Sequence, residues 1–130
     1  MMQMERSEYN RYLFLIGAIW NWAIAVALTA ISLIDEDQLE MLSDDIPANF
    51  LYFHILMALV FAFGIGYYWV SLDFDKNRDL VKAGIIAKVL VFVIAIAYLI
   101  NGDANLTGLG APLGDLIFAA LFLETLLRTE

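Results

Sequence analysis

Long charge-free runs alternate with short charged segments along the 130 residues of the chain. Tyr12 to Ile34 holds 23 residues without a charge, bounded by Arg11 and by the acidic run that opens at Asp35. A second charge-free stretch runs from Ile46 to Leu72, and Pro47, suited to a first helical turn, predicts a helix start near Pro47 or Ala48. The third, about Leu80 to Ile100, has Lys82 at its edge and is interrupted by Lys88. The fourth, Ala111 to Leu127, is the shortest and carries Asp115 and Glu124. A helix crosses a bilayer with about 20 apolar residues, so the first three runs suffice and the fourth needs its neighbours to shield its carboxylates. These segments are apolar all round, whereas helices of a soluble bundle would show polar residues at a 3.6 period. The first run is also too long for a signal peptide's apolar region, of about 7 to 15 residues, and is expected to stay as a span. The pattern predicts an all-α integral membrane protein: one domain over 1-130, a four-transmembrane-helix bundle with helices at about 12-34, 47-72, 80-101 and 111-128.

Composition agrees. Hydrophobic residues make up 62% and charged residues 17%, against about 45–50% and 25% in a soluble domain, which also excludes a disordered chain. The net charge of −8 and the lack of a basic cluster argue against nucleic acid as a partner. With no cysteine, disulfides, thiolate metal sites and cysteine nucleophiles are excluded. Charge also orients the chain. Four spans put the N-terminus, the 73–79 turn and the C-terminus on one side, together with Arg6, Arg11, Lys76, Arg78, Lys82 and Arg128. The other side has Asp35, Glu36, Asp37, Glu40, Asp44, Asp45 and the 101–110 loop, with no Lys or Arg. The positive-inside rule then predicts both termini in the cytoplasm and a multi-pass protein of the cytoplasmic (inner) membrane. Tyr9, Tyr12, Tyr67, Tyr68 and Trp69 are expected at the cytoplasmic interface, and Phe50, Tyr52, Phe53 and Tyr98 at the outer one.

Polar residues inside the spans are the candidate ligand-pocket or proton-relay positions: Asn21, His54, Tyr68, Lys88, Asp115 and Glu124. Depth at about 1.5 Å per residue sorts them into two layers. Asn21 and Lys88 belong to the inner one, with Tyr68 and Glu124 somewhat shallower on the same side, and His54 and Asp115 to the outer. Asn21 shares a face with Gly17, Ala25, Leu28 and Ser32, and His54 shares one with Phe61, Ile65 and Tyr68, so these faces are expected to oppose. Lys88 is expected to run past Gly84 toward the headgroups, or to reach Asn21 or Tyr68. Asp115 and Glu124, nine residues apart, point to opposite sides of their helix. Each residue also has a purely structural reading: an ion pair of Glu124 with Arg128, a helix-dipole position in the first turn for Asp115, a hydrogen bond from His54 to Asp115. Ala58, Ala62 and Gly66 form a small-residue ridge for packing within the bundle or between copies.

No G-x-S-x-G, H-E-x-x-H, P-loop or dinucleotide fingerprint is present. One histidine and no cysteine build no ordinary zinc site, so no metal site and no cofactor are expected. The acidic segment lacks the glycine and glutamate of a calcium loop, and Asn105-Leu106-Thr107 is a formal sequon close to the membrane ends. The stretch Gly84-Ile85-Ile86-Ala87-Lys88-Val89-Leu90, the stretch Gly114-Asp115-Leu116-Ile117-Phe118-Ala119 and the four-span length resemble small four-helix bacterial membrane proteins, broadly DoxX-like. The resemblance implies a bundle in the bacterial cytoplasmic membrane associated with redox or other membrane complexes, and it transfers no catalytic residue. The expected function is a non-enzymatic subunit or oligomeric scaffold with a polar inner pocket, partnered by the bilayer and by copies of itself or a larger complex. The alternatives are a small homo-oligomeric transporter or channel lined by Lys88 and Asp115, and a cofactor-binding enzyme with haem on His54 or a Schiff base at Lys88.

Overall fold

The computed structural model describes residues 5–41 and 49–129. Over these residues the chain forms four α-helices and no strand: α1 (Arg6–Ile34), α2 (Leu51–Leu72), α3 (Arg78–Ile100) and α4 (Gly110–Arg128). Short 3-10 turns at Glu36–Met41, Asp75–Asn77 and Leu106–Leu109 lie between them. All four helices are long and apolar enough to cross a membrane.

The helix α1 starts at Arg6, well before the charge-free run at Tyr12, because charge bounds an apolar span without ending a helix. Its first turns are amphipathic, with Asn10 buried and Glu8 and Arg11 exposed. The helix α2 starts at Leu51, whose N–H donates to Asn49 Oδ1 at 2.7 Å, filling one of the donors a helix start leaves open. Pro47 and Ala48, where its start was expected, lie outside the described residues, as do Asp44 and Asp45. At the other end of α2 the Asn77 amide donates to Trp69 O (3.2 Å) and Asp73 O (2.8 Å), closing the turn into α3. After α3 the chain turns through Gly102, at φ +82°, a conformation that glycine adopts without steric cost.

Successive helices run antiparallel, and both Glu5 and Thr129 lie at one end of the bundle, where Arg6 of α1 meets Glu124 and Thr125 of α4. The closest packing is within the pairs α1–α2 and α3–α4. In lipid, helices associate through close contact and hydrogen bonds, because lipid tails are as apolar as leucine. The contact is concentrated toward the terminal end, where Leu13, Phe14, Ala18, Tyr67, Val70, Val81 and Phe122 form the core. Phe14 stacks on Phe122 with ring centres 4.4 Å apart, and Tyr67 leans on Phe122 at 5.2 Å. Arg78 of α3 donates to Leu126 O (2.9 Å) and Thr129 O (2.6 Å), filling acceptors left open at the end of α4. Toward the opposite end the packing thins. Past Lys88 no residue of α3 is buried, and none of α4 is buried before Ala119.

One expectation about faces changes and another narrows. Tyr67, placed at an interface by sequence, is a core residue, whereas Tyr68 and Trp69 are exposed. Ala58 and Ala62 face outward, and only Gly66 of that ridge packs inside, against Leu80 of α3.

Candidate functional site

Halfway along the bundle a single polar network draws a group from every helix. Asn21 of α1 donates from Nδ2 to Val60 O of α2 at 3.0 Å, and its Oδ1 accepts from Lys88 Nζ of α3 at 3.1 Å. The ammonium also donates to Asp115 Oδ1 of α4 at 2.7 Å, and the same oxygen accepts from Trp20 Nε1 of α1 at 3.1 Å. The rings of Tyr67 and Phe118 flank the ammonium at 5.2 and 5.6 Å, within cation–π range. The Lys88 side chain is 5% exposed and that of Asp115 18%, so the pair is largely withdrawn from its surroundings.

Local sequence explains the placement. Trp20 and Asn21 are neighbours, about 100° apart around α1, so one faces α4 while the other faces α2 and α3. Gly114 makes room for Trp20, since a Cβ there would run into the indole ring. Gly84 does the same for Tyr67, whose ring a Cβ would approach to 2.6 Å. The space beside Gly84 is therefore filled by Tyr67, and not by the Lys88 stem as the sequence implied.

Of the six sequence candidates, the structure gathers three: Asn21, Lys88 and Asp115. The expected two layers fail for Asp115. It lies in the second turn of α4, about five residues, or roughly 8 Å, from the helix start, whereas α3 continues roughly 18 Å past Lys88. The helix α4 thus begins deeper than α3 ends, and its early carboxylate comes level with Lys88. His54 stays apart from Asp115. Its Nε2 lies 2.9 Å from Ser32 Oγ, and that hydroxyl donates to Thr29 O at 2.7 Å, so Nε2 is the donor toward serine. The faces of Asn21 and His54 do meet, through Ser32, but Phe61, Ile65 and Tyr68 are exposed. Tyr68 contacts the Trp22 ring at 6.2 Å and is no partner of Lys88. Glu124 pairs at 3.0 Å with Arg6 across to α1, and at only 4.0 Å with Arg128. An inter-helix bridge thus replaces the main role expected of the i,i+4 pair.

Sequence reasoning missed Trp20 and Tyr67. The signal for Trp20 was its depth, since tryptophan prefers the interface, but Trp22 shares that depth; Trp20 Nε1 finds Asp115, whereas Trp22 Nε1 has no partner among the described residues. Among the described residues no three His, Asp or Glu side chains gather as metal ligands. Compared with protein-family models, with curated proteins and with solved structures, the chain matches none.

Proposed function

We propose that the chain is a small multi-pass subunit or self-assembling scaffold of the bacterial cytoplasmic membrane, with no catalytic chemistry of its own and with both termini in the cytoplasm. The observation that supports this reading is the Lys88–Asp115 pair held by Asn21 and Trp20. A charge at the bilayer centre costs about 2.5–3.5 kcal/mol on insertion scales, and here each charge is offset by a group on another helix. A network with one contribution from every helix fixes neighbour order and register, which a scaffold requires. The apolar surface of α3 beyond Lys88 is then available to lipid, to copies of the chain or to partner subunits. The two stretches that resemble DoxX-like proteins include Lys88 and Asp115, and membership of a membrane complex is what that resemblance implies.

One observation favours a transporter or channel as the second reading: Asp115 keeps 18% of its side chain exposed and takes both hydrogen bonds on Oδ1. Mild extraction from native membranes followed by native mass spectrometry, with ion flux measured on the same material in liposomes, separates the two. A subunit or scaffold gives a fixed stoichiometry with a second protein or a whole-number multiple of the chain, and no flux. A chain that conducts ions in liposomes, alone or as an oligomer, and stops when Lys88→Met is introduced without unfolding, overturns the proposal.

A further inference from the structure

The inward faces of α3 and α4 are closed in one half of the bundle and open in the other. Next to the termini Val81, Gly84 and Lys88 of α3 are buried, and so are Ala119, Phe122 and Thr125 of α4. At helical spacing the same faces continue toward the opposite end, α3 through Phe92, Ala95 and Leu99 and α4 back through Asp115 to Ala111. None of these five is buried, and Leu28 on the facing side of α1 is only half-buried. In that half α3 and α4 therefore stand off from the α1–α2 pair. Asp115 Oδ1 takes both hydrogen bonds, from Lys88 and Trp20, and Oδ2 takes none. Nor is Oδ2 enclosed: the buried side-chain atoms without a partner among the described residues are Arg6 Nε, Asn10 Oδ1 and Trp22 Nε1. The 18% of the Asp115 side chain that stays exposed does not face lipid. Leu113, Ile117 and Leu127 form the exposed stripe of α4, and Asp115 is two residues, about 200° around the helix, from both Leu113 and Ile117. Its free oxygen looks into the bundle.

A carboxylate oxygen that meets only hydrocarbon is an acceptor left unmet, and ionisable groups within a membrane face the bundle interior or water. Water has a short way to this one. Asp115 lies about five residues, roughly 8 Å, from the start of α4, and the end where α4 starts is polar, with Asp35, Glu36, Asp37 and Glu40 exposed. On the far side of the pair the way is shut by Ala18, Tyr67, Val81 and Phe122, each 1% exposed or less. We propose that the standoff is a water-filled entrance from the end opposite the termini, that it stops at the Lys88–Asp115 pair, and that Asp115 Oδ2 is a binding position there for a small neutral hydrogen-bond donor, of which water is the smallest. Charge does not recruit the occupant, because Lys88 already offsets the carboxylate; the unused lone pairs of Oδ2 do. The proposal goes beyond the scaffold reading, which needs no entrance, and a chain found without partners would leave it standing.

The test places single thiols in the full chain, which has no cysteine of its own, and reads their reaction in intact membranes with a charged, membrane-impermeant methanethiosulfonate. Ala95→Cys and Ala111→Cys, on the two inward faces, should react, and from the same side of the membrane as Leu106→Cys. Ile94→Cys is the decisive comparison. It neighbours Ala95, lies on the outer face and is 58% exposed, so exposure alone would make it the faster. In hydrocarbon its thiol does not ionise, and it should react at least about tenfold more slowly than Ala95→Cys. Val81→Cys, behind the pair, should stay unreactive from that side. Asp115→Cys combined with Lys88→Met, which removes both charges together, puts a thiol at the floor of the entrance and should react as well. A variant at Ala95 or Ala111 that does not fold is replaced by Leu99→Cys on the same face. The proposal is overturned if the inward thiols react no faster than Ile94→Cys, as they would with a lipid tail in the gap. It is also overturned if they react from the side of Lys76→Cys, if Val81→Cys reacts along with them, or if the thiol at position 115 is inert in a folded variant.

Discussion

Lys88 makes sense only with its three neighbours. Alone in a hydrophobic helix, an ammonium has to reach the headgroups or deform the bilayer. Opposite Asp115 and Asn21 it is neutralised where it stands, and the Trp20 N–H fixes the carboxylate from the other side. Removing one member of such a pair strands the other, which costs about 3–5 kcal/mol, whereas replacing both by apolar groups of similar size is close to neutral. Lys88→Met and Asp115→Leu are therefore each expected to lower unfolding stability by several kcal/mol, and the double variant to recover part of the loss, the remainder being the Asn21 Oδ1 and Trp20 N–H that it leaves without partners. Denaturant unfolding in detergent measures all three. Additive losses would mean that the two charges do not act as a pair. Trp20→Phe keeps the ring against Gly114 but loses the N–H, so it should cost about 1 kcal/mol, much less than Lys88→Met.

Between helices the decisive positions are glycines. A Cβ on Gly84 would lie 2.6 Å from the Tyr67 ring, and that ring belongs to the core and flanks the ammonium. Gly84→Ala should force α2 and α3 apart and destabilise by about 1–3 kcal/mol, as overpacking does. The smaller side chain of Tyr67→Leu should relieve the strain in the double variant, and a thermal melt that finds Gly84→Ala neutral would show that the helices yield there at no cost. The same helices show why sequence reading succeeded and failed. Charge-free runs bounded by charged turns located four helices, because only apolar side chains are stable over a bilayer's thickness. Which side of a helix turns inward was harder to read in α2 and α3, which are apolar all round. There a shift of one residue, about 100°, separates buried Tyr67 from exposed Tyr68. Asn21 and Lys88 could be matched by depth because their helices run the full span. Asp115 could not, since nothing in residues 101–109 announces that α4 begins below the end of α3.

Seen whole, the molecule is asymmetric along its axis. The end with Glu5 and Thr129 has the tight core, the Arg6–Glu124 and Arg78–Thr129 ties and six of the seven basic residues. The seventh, Lys88, is neutralised inside and so contributes nothing to orientation. The opposite end carries Asp35, Glu36, Asp37 and Glu40 with no basic residue beside them, and its two connections are tied by the Asn105 amide, which donates to Glu40 O at 3.1 Å. Because the basic residues near short turns decide which end stays inside, the tight end is expected to face the cytoplasm. The chain lacks cysteine, so single thiols report this directly. Glu36→Cys and Leu106→Cys, both at exposed positions of the open end, should react with a membrane-impermeant maleimide on intact cells, while Lys76→Cys should react only after permeabilisation. The reverse pattern would place the termini outside and remove the charge argument. Glu36→Lys with Asp37→Lys then probes the cause: if charge alone sets the orientation, these two changes should make part of the Lys76→Cys population accessible from outside. If the pattern does not move, the orientation is set by something other than these charges.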